Sequence, residues 1–139
     1  MADTVVALFR RSLGHLEAEV PASYRHLVSA LGPLVVEVSV DGGVFTLSTG
    51  QDRLAVRDGA LAGAGARVRT SRSAILAVLD AEVSLAEAVE SGRLDVRGSL
   101  DDVLRAHDTL IAYAHAAVRA PSAPALLSAL REHDPGGVG

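Results

Sequence analysis

The sequence predicts an α+β fold: a five-stranded, mainly antiparallel sheet with helices packed on one face. Three observations predict it. Apolar residues first recur with a helical period of about 3.6, then alternate strictly, then return to the helical period. Each alternating segment keeps its apolar residues on one parity, and most carry arginine on the other. A sheet that is apolar on one side must bury that side, and the flanking helices supply the cover.

The chain opens on a helix. Asp3 or Thr4 is placed to cap it, and Val5, Phe9, Leu13, Leu16 and Val20 form its stripe. Pro21 suits the first turn of a second helix, whose apolar face is Tyr24, Leu27, Val28 and Leu31 before Gly32 and Pro33 stop it. In "LVVEVSV", Leu34, Val36, Val38 and Val40 point one way while Glu37 and Ser39 point the other. "DGG" at residues 41–43 marks a hairpin turn, and Phe45 and Leu47 follow on a second strand. "DRLAVRDG" turns Leu54 and Val56 inward and Arg53 and Arg57 outward. After the small-residue loop "ALAGAG", "ARVRTS" places Val68 in and Arg67 and Arg69 out. Short links between these four segments predict a meander.

Helix returns near Ser71, with Ile75, Leu76 and Leu79 on one side. Ser84 and Glu87 have the spacing of a capping box, and the helix they open carries Leu85, Ala88 and Val89 before Gly92 ends it. "RLDVR" reads as a fifth strand, Leu94 and Val96 inward, Arg93, Asp95 and Arg97 outward. Gly98 turns the chain, and Ser99 with Asp102 starts a long helix. Its stripe reads Leu100, Val103, Leu104, His107, Leu110, Ile111, Ala114 and Val118. "APSAP" breaks it, and Leu126, Leu127 and Leu130 suggest a short last helix. The late strand returns the chain to the sheet after two helices have crossed it, so both helical layers meet one sheet face. A single domain is expected over residues 1–133, with a flexible tail at 134–139.

Composition narrows the function classes. The absence of cysteine excludes disulfides, thiolate metal sites and thiol nucleophiles. All 13 basic residues are arginine, so Schiff-base lysine chemistry and a Walker-type phosphate loop are excluded too. A net charge of −4 argues against a nucleic-acid binder. No apolar run approaches the ~20 residues of a membrane span, and the N-terminus lacks the pattern of a signal peptide, so no stable membrane insertion and a cytoplasmic location are expected. Aromatics are scarce: Phe9, Tyr24, Phe45 and Tyr113. An interior of Ala, Val and Leu is either a dense aliphatic core or the wall of a cavity.

Few residues offer chemistry. His107 falls on the apolar stripe of the long helix, where it can anchor a ligand's polar head, move a proton, or simply sit at the stripe's edge bonded to backbone or water. His115 lies two turns further on, too distant to share a metal with it. His15 and Glu19 share a helix face but lack a third ligand, so no metal is expected. "GALAGAG" does not follow the strand–GxGxxG–helix pattern, and no serine sits in a nucleophile elbow; no cofactor is expected. Arg53, Arg57, Arg67, Arg69, Arg93 and Arg97 all alternate outward. They form either a solvated sheet face with Glu37 and Asp95 as partners, a surface for an acidic protein or phosphate group, or a homodimer face.

The order of elements, and in particular Gly92, Arg93, Leu94, Val96 and Gly98 ahead of a long helix, resembles the sterol carrier protein type 2 (sterol-binding domain) family over roughly Leu34 to Val118. The resemblance implies a hydrophobic tunnel between sheet and helices that holds a lipid, sterol, fatty acid or acyl-CoA; for this chain the expected ligand is a lipid, fatty acyl or polyketide-like small molecule. Carried over by position, it implies a lining of Phe45, Leu76, Leu79, Leu85, Val89, Leu100, Val103 and Leu104, to which the stripe of the long helix adds His107 as the candidate polar or catalytic group. The chain departs from the lipid-transfer members in lacking lysine and a Ser-Lys-Leu ending, and is more similar to the small bacterial members that stand alone or act as accessory modules. Three functions are therefore open: a carrier or accessory protein, a small enzyme using the cavity for cyclisation or isomerisation, and a protein-interaction module using the arginine face.

Overall fold

Two helices, α1 (Val5–Glu19) and α2 (Pro21–Leu31), lead into four strands, β1 (Val36–Val40), β2 (Gly43–Gly50), β3 (Arg53–Asp58) and β4 (Ala66–Thr70). Helices α3 (Arg72–Leu79) and α4 (Leu85–Glu90) precede β5 (Asp95–Gly98), and α5 (Leu100–Arg119) and α6 (Ala123–Glu132) complete the chain. The computed structural model describes residues 5–60 and 63–132. The expected cap at Asp3 or Thr4, two residues of the "ALAGAG" loop and the tail at 134–139 lie outside the described residues.

Local signals fix the helix starts. Ser71 Oγ accepts from the Ala74 amide at 3.1 Å, and Ser99 Oγ accepts from the Asp102 amide at 3.2 Å. The Ser84–Glu87 capping box forms in both directions, each bond 3.0 Å long. Those bonds favour the charged carboxylate and hold the Glu87 pKa below its usual value. Pro21 opens α2 and Gly32 ends it with φ 55°.

The sheet is mixed, in the order β3-β2-β1-β4-β5. The meander holds through β3 and then stops. β4 does not extend it but crosses to the free side of β1 and pairs parallel to it, Val38 opposite Val68. The other pairings, β1–β2, β2–β3 and β4–β5, are antiparallel. Alternation shows which face of a strand is buried but not which neighbour it takes. The first three strands leave one edge of β1 unpaired, and β4 satisfies its hydrogen-bonding groups there. Gly65 allows the crossing: its amide donates to the Val35 carbonyl at 2.9 Å, and a Cβ on it would meet Leu34 at 2.8 Å and Asp102 at 2.9 Å.

The helices cover the predicted face. Leu16, Leu27 and Leu31 from α1 and α2 join Val36, Leu47 and Val68 of the sheet in one buried cluster. A second cluster, Leu8, Leu79, Ala117 and Leu130, ties α6 to α1, α3 and α5. Among the described residues, no helix is long and apolar enough to cross a membrane.

Gly98 is the tightest point. Its φ is 154°, and a Cβ there would lie 2.6 Å from the Gly65 carbonyl oxygen and 3.3 Å from the Ala66 Cα. Both are backbone atoms of the facing segment, so no side-chain movement relieves the clash. Gly98→Ala should therefore lose about 2 kcal/mol or more of unfolding free energy in urea titration. A loss below about 0.5 kcal/mol would show that β5 can lift from β4 without cost.

Candidate apolar cavity

The inner face of the sheet is floored by β-branched side chains. Val36, Val38 and Val40 of β1 align with Ala66, Val68 and Thr70 of β4, because the parallel register pairs them directly. Valine is short, so the floor is shallow. α5 presents its small residues across much of the buried interface, with Ala106, Ala112, Ala116, Ala117 and Thr109 buried. Between these surfaces lies a cavity of about 140 Å³, bordered also by α1, α3 and α6.

The scarce aromatics gather here. Phe9 packs against Phe45 with ring centroids 5.2 Å apart and against Tyr113 at 5.1 Å, both tilted, and all three rings border the cavity. The fourth, Tyr24, serves the fold: its hydroxyl accepts from the Leu54 amide at 3.0 Å.

The wall is almost free of polar groups, and those present are engaged. The Thr70 hydroxyl donates to the Arg93 carbonyl at 3.0 Å, and the Thr109 hydroxyl donates to the Arg105 carbonyl one turn back at 2.7 Å. The Tyr113 hydroxyl and Ser12 Oγ share a hydrogen bond of 2.7 Å. Burial disfavours the phenolate and pushes the Tyr113 pKa up to about 12, against the smaller opposite pull of Ser12. A buried water needs two to four polar partners, and the few hydroxyls on this wall are already bonded within the protein.

The expected lining divides. Phe45, Leu79 and Leu85 border the cavity. Leu76 packs in the second cluster instead, beside Leu79 and Leu130. Val89 is 40% exposed, Leu100 74% and Leu104 55%, and Val103 and His107 are half-buried away from the cavity. For the four residues on α5 the cause is the side of the helix that is buried. The stripe of α5 divides: Leu110 and Ala114 border the cavity, while Leu100, Leu104 and Val118 are exposed, because at 3.6 residues per turn the buried alanines centre on another side of the helix. α5 makes its most extensive helix packing with α2, where small side chains let the two backbones approach. Sequence reading also missed Phe9 and Tyr113 as lining residues. The signal was present: when aromatics are this few, their place in the fold carries information.

The other candidate residues sit elsewhere. His15 Nδ1 lies 3.2 Å from Glu19 Oε2, and Glu19 Oε1 accepts from the Ser122 amide at 3.0 Å, so this pair ties α1 to the start of α6. His115 lines an open groove between α2 and α5 with His26, Asp108 and Arg119. Among the described residues, no three His, Asp or Glu side chains are grouped to hold a metal. Arg53 leaves the arginine face: it turns around the sheet edge to Glu17 on α1, with bonds of 2.9 and 2.6 Å.

No protein-family model matches the chain, and no curated protein matches it. Solved structures do. The sterol carrier protein domain 2 of Helicoverpa armigera aligns at a TM-score of 0.59 and 11% identity, covering 83% of this chain and 95% of that one. The ubiquinone synthesis protein UbiJ-SCP2 aligns at 0.56 and 23% identity, over 76% and 89% of the two chains. Apo sterol carrier protein 2 from Yarrowia lipolytica aligns at 0.51 and 13%, over 78% and 88%. The chain has the sterol carrier protein 2 fold. Within that fold the Gly92–Gly98 segment takes the place its sequence pattern implies, carrying β5 onto the edge of the sheet.

The Tyr113 hydroxyl gives a pH test. An unfolded tyrosine titrates near pH 10. The folded state keeps its proton to about pH 12, so this group's stabilising effect is full below pH 10 and is lost as pH rises through 12. Unfolding free energy should fall by roughly 2–3 kcal/mol across that window from this residue. Tyr113→Phe should lose some stability at neutral pH, through the orphaned Ser12 hydroxyl, and should flatten the alkaline fall. Equal alkaline slopes in the two proteins would refute the assignment.

Proposed function

We propose that the protein binds an apolar small molecule in the cavity between sheet and helices and acts as a carrier or accessory protein. One observation carries this reading: a cavity of about 140 Å³ whose polar neighbours all satisfy their hydrogen bonds within the protein. Apolar cavities of about this size stay dry and accept a small hydrocarbon ring. Burying a ligand here gains roughly 25 cal/mol for each Å² of apolar surface removed from water. The fold supports the reading, since neighbours that share it are sterol carrier proteins and a ubiquinone synthesis protein. The hydrocarbon part of a lipid, fatty acyl or polyketide-like molecule fits the wall chemistry. A ligand larger than one ring or a short chain requires the walls to part.

The enzymatic alternative has weaker support. Cyclisation or isomerisation needs a group that moves a proton at the reacting atom. His107 does not border the cavity, and the Tyr113 hydroxyl is bonded to Ser12 and far from titration at neutral pH.

Two outcomes are expected. Val38→Phe and Ala114→Leu each add bulk at the cavity and should lower uptake of an apolar fluorescent dye at least ~10-fold, while Leu104→Ser on the outer side of α5 leaves it unchanged. Undiminished uptake by both cavity variants would place binding elsewhere. A short alkane should also compete with the dye at least as well as the fatty acid of equal length, because no wall group greets a carboxylate. Strong preference for the acid would reveal a polar anchor and overturn this account of selection.

A further inference from the structure

The outer face of the sheet carries the charge that the cavity lacks. Among the described residues no helix packs over it, although Thr46 at its centre is buried, 1% exposed, its hydroxyl donating to the Gly59 carbonyl at 2.8 Å. The register brings its arginines into rows: Arg57 lies opposite Thr46, Thr46 opposite Glu37, Glu37 opposite Arg67, and Arg67 opposite Arg97. That row crosses all five strands, about 19 Å at the usual strand spacing. Arg69 stands in the next row beside Asp95, and Arg93 is exposed two residues ahead of β5. All five arginines are exposed, Arg67 and Arg97 with side chains 73% and 80% open to solvent.

Their charge is only partly compensated. Asp95 pairs with Arg97 at 2.8 Å, and Glu37 reaches Arg67 at 3.9 Å. Arg57, Arg69 and Arg93 make no ion pair among the described residues. The patch is therefore net positive on a chain whose total charge is −4, so the remainder of the surface is strongly negative. Such a molecule turns one face to a negative surface and the other away.

We propose that this arginine face docks on the surface of an anionic phospholipid bilayer. The choice of partner follows from what surrounds the charges. Protein interfaces draw their affinity from buried aromatic and large apolar anchors. Among the described residues, the outward strand side chains between the arginines are Thr46, Ser39 and Ser48, with Val44 and Ala55 the apolar ones. The arginines stand exposed around this buried centre, and the face they present is chiefly electrostatic. Each arginine near an anionic leaflet contributes enough for a severalfold gain in partition, and guanidinium forks match phosphate oxygens. The inference does not rest on the cavity reading, since it uses the opposite face of the sheet.

Flotation with vesicles tests it. The intact protein should partition onto phosphatidylglycerol vesicles at least ~30-fold better than onto phosphatidylcholine at low salt, and 0.5 M salt, with a Debye length of only a few Å, should abolish the difference. Arg67→Glu with Arg69→Glu should remove it. Arg25→Glu with Arg119→Glu changes net charge equally on exposed helix positions and should leave most of the preference intact. Circular dichroism confirms that each variant is folded, and Glu37→Gln, which strips a carboxylate from the patch, should strengthen binding. Equal partition onto both vesicle types, or equal loss from the two double variants, overturns the proposal.

Discussion

The parallel pairing of β4 with β1 is the constraint on which the molecule's two faces depend. It sets Val38 beside Val68 on the inner side and Glu37 beside Arg67 on the outer side. A slip of one residue would exchange the two sets, driving arginine into the cavity and valine into water. Neither alternative register is tolerable, so hydrophobic patterning enforces this one. β5 then adds to the far side of β4, where Gly98 and Gly65 let the backbones meet closely. The cavity floor and the arginine rows are thus two consequences of a single register.

Features encoded over a few residues were legible in the sequence. Ser71, Ser84 and Ser99 announced helix starts because a cap is a local hydrogen bond. The five strands were legible because alternation is a local period. Strand order was not. Val68 alternates with Arg67 and Arg69 whether its neighbour is β3 or β1, and only the closure of the whole sheet decides. The face of α5 was misread for a related reason. Leucine was weighted above alanine, yet close approach to α2 rewards the smaller residue and leaves Leu100 and Leu104 outside. Three of the nine expected site residues, Phe45, Leu79 and Leu85, border the cavity, whereas Leu76 and Val89 on the same helices α3 and α4 do not.

The helical side of the cavity is held unevenly. α2 and α5 pack along their length against each other, whereas α6 meets its neighbours through the smaller cluster of Leu8, Leu79, Ala117 and Leu130. Polar ties reinforce it: Arg131 reaches Asp80 at 3.0 Å, and the Ser122 amide bonds Glu19. The Arg131–Asp80 pair is partly exposed, and such pairs contribute about 0–1 kcal/mol. The apolar contacts of Leu126 and Leu130 therefore do most to seat α6, and these same side chains border the cavity.

That coincidence links stability to occupancy. A side chain that lines an empty apolar space forfeits dispersion contacts on one side. On the proposed reading, a bound hydrocarbon would restore them for Leu126, Leu130, Phe9 and Tyr113 together, without asking any polar group to change partner. Recognition of this kind is by shape and volume, since Thr70, Thr109 and Tyr113 have their hydrogen bonds elsewhere. It discriminates poorly between ligands of similar size, because a single methylene is worth only about 0.8 kcal/mol. Among the described residues the polar groups on this wall are hydroxyls, and each bonds within the protein.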